Sequence, residues 1–309
     1  MGAKRILITG GSGLLALNWA CCKRDEHDVW LAQHVRTIRL RGTRTVPLDL
    51  GSAEILLRQL EQYRPDWIVH TAGVTNVDQC ERDPGKAREA NAVLARNVAQ
   101  AAVRLGIRLI HISTDHLFGG TRSLYKEDDP PEPLNVYART KLLAEQWIAE
   151  ACPGALVVRT NFFGWGHRYR QSFSDWIIGG LRGGEAITLF EDAFFTPILV
   201  DQLAVDAHRL MEMGASGIFN VAGDERVSRY EFALRLAKSF SLPVALIHRG
   251  RISEANLTAR RPPDMSLDNS KARAAFGAGL GTLDEYFDGL RRQQLSGRDS
   301  ELLQAVTAD

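Results

Sequence analysis

Two residues of the chain, Tyr137 and Lys141, have types and a spacing that suit acid–base chemistry. They stand four residues apart in a helix predicted over 137–150, so their side chains share one face. A free tyrosine has a pKa of about 10, and an ammonium ~4 Å away is worth up to about 4 kcal/mol at an effective dielectric of roughly 20. We therefore expect Lys141 to lower the pKa of Tyr137 by a few units, so that the phenol can exchange protons near neutral pH.

A hydroxyl side chain completes this predicted cluster. Ser113-Thr114-Asp115 ends a strand predicted over 108–113. Parallel α/β sheets place their ligand sites at the carboxyl ends of their strands. Thr114 is therefore expected to hold a substrate carbonyl while Tyr137 protonates it.

A glycine-rich turn near the start of the chain is typical of dinucleotide binding. Thr9-Gly10-Gly11-Ser12-Gly13-Leu14-Leu15-Ala16 lies between a strand predicted over 5–9 and a helix predicted over 13–24. Residues without Cβ let the backbone approach a pyrophosphate, and the free N–H groups at the helix start favour its negative charge. Ala16 stands at the third motif position, where alanine is tolerated. The predicted cofactor contacts of this turn are Gly10, Ser12, Gly13, Leu14 and Leu15.

The residues after the second predicted strand favour NADP(H) over NAD(H). NAD-binding proteins usually place an Asp or Glu there to bind the ribose 2′-hydroxyl. This chain has Gln33 and His34 instead, followed by Arg36, Arg39 and Arg41. Cations can pair with a 2′-phosphate, and Arg36 is our first choice for that contact. Asp49 and Leu50, after the next strand, are further predicted cofactor contacts, with adenine the expected partner of Asp49.

The elements that must position these residues form an alternating series. Strands are predicted over 5–9, 29–32, 45–48, 67–71, 108–113 and 156–159, and helices over 13–24, 53–62, 87–105 and 137–150. Apolar runs such as Trp67-Ile68-Val69 lack clean alternation, as strands covered on both faces do. We predict an α/β fold, a Rossmann-like doubly wound parallel sheet with a smaller C-terminal α+β substrate lobe.

The rhythm of the chain changes after residue 161, and we divide it there. Residues 1–161 are predicted to form an NADP(H)-binding Rossmann domain, joined by a return segment near 190–225. Residues 162–190 and 226–309 are predicted to form a substrate-binding lobe. Ser228 and Glu231 have capping-box spacing and indicate a helix start. The polar tail after Gly297 is expected to fray.

Five segments together resemble the extended branch of the short-chain dehydrogenase/reductase superfamily, and within it the dTDP-4-dehydrorhamnose reductase family. The resemblance covers nearly the whole chain. Ser113–Gly120 is similar to an STDYVFxG motif and Pro133–Lys141 to PLNVYGxTK. The other three segments, in family order, are His70–Glu81, Arg159–Phe162 and Arg261–Asp264.

The resemblance implies roles for individual residues. The superfamily uses a Ser/Thr, a Tyr that acts as the acid and a Lys that also binds the nicotinamide ribose; by motif these are Thr114, Tyr137 and Lys141. The segment after the fourth strand lies beside the cofactor in the family, and Asn91 falls at a helix position that braces the backbone. Further expected cofactor contacts are Ala72, Gly73, Asn91 and Ser113. Expected substrate contacts are Val74, Asp115, His116, Asn161 and Phe162.

Some positions depart from the family pattern. His116 replaces the Tyr of the first motif and Ala138 the Gly of the second. His116 could touch substrate or only pack. The residue after Asp115 is not Glu, which argues against a nucleotide-sugar dehydratase, and no Cys adjoins Thr114, which argues against epimerase-reductases that use one.

The expected reaction is hydride transfer from NADPH to C4 of a nucleotide-linked 4-keto-6-deoxysugar, with Tyr137 as the acid. The substrate diphosphate needs cations, for which we expect Arg260 and Arg261, with Arg168 and Arg170 as alternatives. An enzyme of the same fold acting on another ketone, or a sugar-nucleotide epimerase, is one alternative. Another is a non-catalytic NADP-binding regulatory subunit similar to the β subunit of methionine adenosyltransferase, which keeps the Tyr and Lys motif. A plain ketone reductase leaves the C-terminal lobe unexplained.

Composition excludes several other classes of protein. The 309 residues carry a net charge of +1, which points to neither nucleic acid nor an anionic membrane. No run approaches the ~18 apolar residues of a membrane span, and Met1–Arg5 leaves no room for a signal peptide. The four cysteines and eight histidines match no metal-ligand spacing, so we predict no metal and reduced thiols in a cytoplasmic protein. The family resemblance allows a homodimer, although the sequence carries no interface signature.

Overall fold

Strands and helices alternate through the first half of the chain, as predicted. The computed structural model describes residues 2–307. A π-helical turn at Glu89–Val93 interrupts the helix expected over 87–105. The elements of this half are β1 Arg5–Thr9, α1 Leu14–Lys23, β2 Asp28–Gln33, β3 Thr37–Ile38, β4 Arg44–Pro47, α2 Ala53–Tyr63, β5 Trp67–His70, α3 Val77–Arg82, α4 Pro84–Arg88, α5 Leu94–Leu105, β6 Arg108–Ile112, α6 Val136–Ala151 and β7 Leu156–Arg159.

Shorter strands occupy the second half. Ser228 caps its third helix by accepting a hydrogen bond from the backbone N–H of Glu231 at 3.0 Å, at the predicted start. The elements are β8 Phe162–Phe163, α7 Phe173–Arg182, β9 Ile187–Phe190, β10 Phe194–Phe195, β11 Ile198–Leu199, α8 Val200–Glu212, β12 Gly217–Asn220, β13 Val227–Ser228, α9 Arg229–Ser239, β14 Ile247–Gly250, α10 Ser270–Phe276, α11 Leu283–Leu295, α12 Arg298–Gln304 and β15 Val306–Thr307, with 3₁₀ turns at Val244–Leu246 and Ile252–Glu254.

Seven parallel strands form the central sheet, in the order β12-β7-β6-β5-β1-β2-β4. The strand order reverses beside β1, whose neighbours are β2 and β5. In such sheets the reversal opens a crevice at the carboxyl ends of the strands, where ligands bind. This topology confirms the predicted Rossmann-like α/β fold and fixes where its site must lie.

Apolar side chains cover both faces of the sheet. Ile6 and Ile8 of β1 point to the face covered by α1 and α8, whereas Leu7 points to the face covered by α2, α5 and α6. All three side chains are fully buried. Burial on both faces explains why the strand sequences do not alternate between apolar and polar residues.

The second half of the chain divides between the sheet and a smaller lobe. The strand β12 and the helix α8 come from the segment near 190–225; β12 forms an edge of the sheet and α8 packs on α1. The rest builds two-stranded pairs, β9 with β14 and β10 with β13, around α7, α9 and α11. Phe163, Phe195 and Phe232 pack together inside this lobe, with ring centroids 5.0 and 5.6 Å from Phe232.

The expectation that the tail after Gly297 frays is wrong. The helix α12 follows directly, and β15 pairs antiparallel with β3. The Arg24 guanidinium donates two hydrogen bonds, of 2.6 and 2.9 Å, to the Glu301 carboxylate, and Leu302 and Val306 are buried. Leu302 packs its helix into the core, and Val306 pairs with Ile38 of β3, a strand distant in the sequence. Residues 308–309 of the expected tail lie outside the described residues.

Within residues 2–307, no group of three or more His, Cys, Asp or Glu side chains is arranged to hold a metal ion. None of the helices in this range combines the length and apolar character needed to cross a membrane. The four cysteines are free thiols.

Candidate active site

A cleft of about 980 Å³ opens at the carboxyl ends of β1, β2, β5 and β6. One wall comes from the sheet and its loops, and the other from residues 160–173 and Arg229 of the second half. The predicted site residues that line it are Gly10, Ser12, Gly13, Leu14, Leu15, Arg36, Asp49, Leu50, Ala72, Gly73, Val74, Asn91, Ser113, Thr114, Asp115, His116, Tyr137, Lys141, Asn161 and Phe162.

The glycine turn lies at the floor of the cleft with its backbone packed closely against neighbouring loops. Gly10 has a φ of +65°, and a Cβ there would lie 2.8 Å from the Cα of Ala72. A Cβ on Gly11 would meet the Ala32 carbonyl at 2.7 Å, a constraint that the motif alone did not reveal. Helix α1 then begins at Leu14 without a side-chain cap on its free N–H groups. Glycines that let the backbone come close to a ligand, followed by a helix start with free N–H groups, fit the pyrophosphate of a dinucleotide.

The far end of the cleft carries the residues expected at the adenosine. Gln33, His34 and Arg36 line it, with no carboxylate among them. The exposed Arg36 guanidinium stacks on the Tyr169 ring, 5.0 Å from its centroid, so it sits at the lip of the cleft. Asp49 also lines it, but its Oδ1 atom already accepts the backbone N–H groups of residues 51 and 52 at 2.8 and 3.2 Å. The neighbouring arginines expected as alternatives to Arg36 do not line the cleft.

Asn91 fixes the loop that borders the centre of the cleft. Its Oδ1 accepts the Val74 backbone N–H at 2.7 Å, and its Nδ2 donates to the Val74 carbonyl at 3.1 Å and to Thr140 Oγ1 at 3.0 Å. A Cβ on Gly73 would lie 2.7 Å from the same Oδ1. Asn91 lies in the π-helical turn, which the sequence pattern did not predict. The change of helix type therefore occurs at the residue that connects the loop to α6.

Tyr137 and Thr114 meet at the mouth of β6. Asn135 caps α6 by accepting the Ala138 N–H at 2.9 Å, which places Tyr137 in its first turn. The Tyr137 side chain is buried beside Thr114. Burial raises the pKa of Tyr137 to about 12, and the nearby Asp115 adds to that rise, whereas the Thr114 hydroxyl opposes it. The expectation that the pKa of Tyr137 is lowered is therefore wrong.

Lys141 faces the sheet, which explains the difference. Its ammonium donates to the Ile112 carbonyl at 2.6 Å and lies 3.3 Å from His111 Nε2. Burial lowers the pKa of Lys141 to about 8, while Glu145, one turn along α6, opposes that change. Lys141 and Tyr137 share one side of α6 as predicted, but the Lys141 ammonium is directed to β6. The pKa of the Tyr137 phenol is therefore set mainly by its own burial.

Asp115 and His116 form a second polar layer beside the phenol. Asn161 Nδ2 donates to Asp115 Oδ2 at 2.5 Å and Thr114 Oγ1 to Asp115 Oδ1 at 3.3 Å. Burial raises the pKa of Asp115 to about 6. The His116 ring meets the Tyr137 ring edge-on at 5.6 Å, and burial lowers its pKa to about 3, so the imidazole is neutral. Its Nδ1 atom is buried without a hydrogen-bond partner among the described residues.

The structure does not bring Arg260 and Arg261 into the cleft. The Arg260 side chain is exposed, and its carbonyl accepts a bond from Asn135 at 2.9 Å. The Arg261 guanidinium pairs with Asp78 at 3.0 Å and donates to the Ala259 carbonyl at 3.0 Å. Its position in a family motif gave no sign of this partner.

The cleft also contains residues that the sequence patterns did not identify or identified only as alternatives. Arg170, only an alternative earlier, lines the cleft and reaches Thr75 Oγ1 at 2.9 Å. His167 and Tyr169 line it from the same loop. Arg229 enters from the start of α9, and its only sequence signal was the Ser228 cap that precedes it.

Comparison with known proteins places this geometry in a family. The family model of the RmlD substrate binding domain matches residues 4–289. A probable low-salt glycan biosynthesis reductase, Agl14, of Haloferax volcanii is 29% identical, with 90% of this chain and 94% of that protein covered. The methionine adenosyltransferase 2 subunit beta of Rattus norvegicus is 30% identical, with 87% and 81% covered.

Solved structures agree with that assignment. A dTDP-4-dehydrorhamnose reductase from Bacillus anthracis in complex with NADP superposes with a TM-score of 0.84 at 26% identity, over 94% of this chain and 99% of that one. A hypothetical dTDP-4-dehydrorhamnose reductase from Sulfolobus tokodaii gives a TM-score of 0.80 at 33% identity, over 92% and 98%. The chain therefore belongs to the RmlD substrate binding domain family, as its motifs indicated.

Proposed function

We propose that this protein is an NADPH-dependent reductase of a nucleotide-linked 4-keto-6-deoxysugar. The observation that carries the proposal is the meeting of Thr114, Tyr137 and Lys141 in one cleft with the glycine turn. The enzyme is an oxidoreductase that converts a ketone of a nucleotide sugar to an alcohol. The reductases among its relatives, including one solved with NADP, support this class of reaction.

The residues of the chain divide the chemistry among them. A bound NADPH supplies a hydride to the ketone carbon. Tyr137 donates its phenolic proton to the carbonyl oxygen, and Thr114, which lines the same cleft, orients that oxygen. A pKa of about 12 keeps Tyr137 fully protonated at neutral pH, yet its phenolate is a weaker base than an alkoxide, so the proton moves in the direction of reduction. Lys141, which lines the cleft one turn along α6 from Tyr137, would hold the nicotinamide ribose.

Cofactor choice follows from charge at the lip of the cleft. Arg36 is the cation available to a 2′-phosphate, and Gln33 and His34 leave no carboxylate to repel it. We assign Gly10, Ser12, Gly13, Leu14 and Leu15 to the pyrophosphate. Val74, Asp115, His116, Asn161 and Phe162 are assigned to the substrate.

A second candidate is a regulatory subunit that binds NADP without turnover. The similarity to methionine adenosyltransferase 2 subunit beta supports it, since the motif residues alone do not separate the two readings. The orientation of Lys141 toward the Ile112 carbonyl, rather than toward the phenol, also fits a site without turnover. An epimerase of the same fold would return the hydride to its sugar and consume no NADPH overall.

The test is the oxidation of NADPH with a dTDP-4-keto-6-deoxysugar, followed at the absorbance band of reduced nicotinamide. Tyr137→Phe should lower turnover by about 10²- to 10⁴-fold, the usual contribution of a general acid, while NADPH still binds. Tyr230→Phe changes a tyrosine outside the cleft and is the matched control. Near-normal turnover of Tyr137→Phe would refute the assigned acid. NADPH binding without oxidation by the unmodified protein would favour the regulatory role, and a pull-down for a partner protein would follow.

A further inference from the structure

Arg229, the first residue of α9, presents its side chain to the cleft from the wall opposite the sheet. Its guanidinium carbon lies 3.7 Å from the centroid of the Phe195 ring and 4.9 Å from that of Phe173. Its backbone N–H donates to the Ala193 carbonyl at 2.9 Å. Two aromatic contacts and a fixed backbone hold the half-buried cation in one place before any ligand arrives.

The Arg229 guanidinium has no counter-ion within residues 2–307: no carboxylate oxygen there lies within 4 Å, and no acceptor there receives a hydrogen bond from it. The carboxylate that acts electrostatically on Arg229 is that of Asp115, whose two oxygens accept hydrogen bonds from Asn161 and Thr114. Burial lowers the pKa of Arg229 to about 10, so it stays charged at neutral pH. A partly desolvated charge without a partner is costly in a folded protein, and an anion in the cleft would relieve that cost.

The position of Arg229 relates this charge to the reacting end of the cleft. Its charge acts on Asp115, and it acts on His116 together with the charge of Arg261; His116 in turn contacts the Tyr137 ring. The arginine expected from its motif, Arg261, is already neutralised by Asp78 at 3.0 Å. Of these two cations, only Arg229 lines the cleft with its donors unused.

We propose that Arg229 binds the diphosphate of the nucleotide-linked substrate, in place of the Arg260 and Arg261 pair that the sequence suggested. This inference rests on the proposed function, since it presumes a nucleotide-linked substrate. A guanidinium offers a planar pair of donors that matches phosphate oxygens, and the phenylalanine rings keep that plane oriented. The anion would lie between the second half of the chain and the sheet, with the sugar directed to His116 and Tyr137.

Isothermal titration of the NADP⁺-loaded protein with dTDP, UDP and thymidine tests the assignment. Arg229→Gln should weaken the binding of both diphosphates by about 10- to 100-fold, the range expected for a lost charged contact, and leave thymidine unchanged. Arg229→Lys keeps the charge without the planar donors and should fall between the two. Arg249→Gln is the matched control, because Arg249 stacks on Tyr230, the next residue of α9, at 4.9 Å and does not line the cleft.

The outcomes separate this inference from the proposed function. Diphosphate binding by Arg229→Gln that equals the unmodified protein would overturn the assignment and leave the reductase proposal intact. An equal loss of NADP⁺ affinity would also overturn it, since the arginine would then serve the cofactor or the fold. If the unmodified protein binds NADP⁺ but neither dTDP nor UDP, its substrate is not linked to a nucleotide. Both the proposed function and the proposed role of Arg229 would then be wrong.

Discussion

Replacing Lys141 with methionine removes a charge whose burial destabilises the folded protein. Burial lowers the pKa of Lys141 from 10.5 to about 8. Since each pKa unit corresponds to about 1.4 kcal/mol, the buried ammonium lowers the free energy of unfolding by about 3 kcal/mol at pH 7. The variant leaves the Ile112 carbonyl without its lysine donor, which costs about 1–3 kcal/mol. Lys141→Met should therefore be as stable as the unmodified protein at pH 7, or up to about 2 kcal/mol more stable, although its turnover is lost.

The pH dependence isolates the charge from the packing. Below pH 8 the lysine is protonated in both the folded and the unfolded chain, and the full penalty is present. Between pH 8 and 10.5 the unfolded chain binds more protons, so the unmodified protein gains stability relative to the variant as pH rises. The difference in free energy of unfolding between Lys141→Met and the unmodified protein should fall by about 3 kcal/mol across this window.

Urea unfolding followed by circular dichroism at fixed pH values from 7 to 10.5 measures that difference. Lys238→Met, which removes an exposed lysine of α9, controls for the loss of a lysine as such. If the difference for Lys141→Met does not change with pH, the folded protein does not disfavour the ammonium and the pKa of Lys141 is not lowered.

Two further substitutions test other parts of the cleft. Arg36→Ala should weaken NADPH binding by about 10- to 100-fold and leave NADH binding unchanged, as measured by fluorescence titration; an unchanged ratio of the two affinities would exclude Arg36 from the 2′-phosphate. Asn91→Ala leaves the Val74 N–H and the Thr140 hydroxyl without their shared partner, so it should lower the free energy of unfolding by about 2–5 kcal/mol. The 72–75 loop should then exchange its amide hydrogens faster, and unchanged exchange would show that the loop is held by other contacts.

Local sequence patterns were sufficient for the sheet and for one side of the cleft. The strand–glycine–helix unit at Gly10–Leu15 and the helical spacing of Tyr137 and Lys141 depend on neighbours in sequence, so their placement followed from geometry. The doubly wound parallel sheet followed from the alternation of strands and helices, whereas the order of its strands was not predicted. The two-sided burial of β1 agrees with its unbroken apolar run.

The other side of the cleft depends on contacts between distant segments, which leave no local pattern. The start of α9, from which Arg229 reaches the cleft, is bonded to Ala193, and Arg261 pairs with Asp78 outside the cleft. The predicted lowering of the Tyr137 pKa was wrong for a related reason. Helical spacing shows that Lys141 lies on the same face of the helix as Tyr137, but it does not show that the Lys141 ammonium binds the Ile112 carbonyl. Charge partners across the fold decide these points, and the structure is needed to see them.

Transfer of deuterium from NADPH to the sugar distinguishes a reductase from a subunit that only binds the cofactor. The protein is incubated with NADPH that carries deuterium at the nicotinamide C4 position and with a dTDP-4-keto-6-deoxysugar, and the product is analysed by mass spectrometry and NMR. We expect one deuterium at C4 of the reduced sugar, and its appearance should be slower with Tyr137→Phe. A protein that binds the labelled NADPH but leaves the sugar unlabelled and unreduced would contradict it.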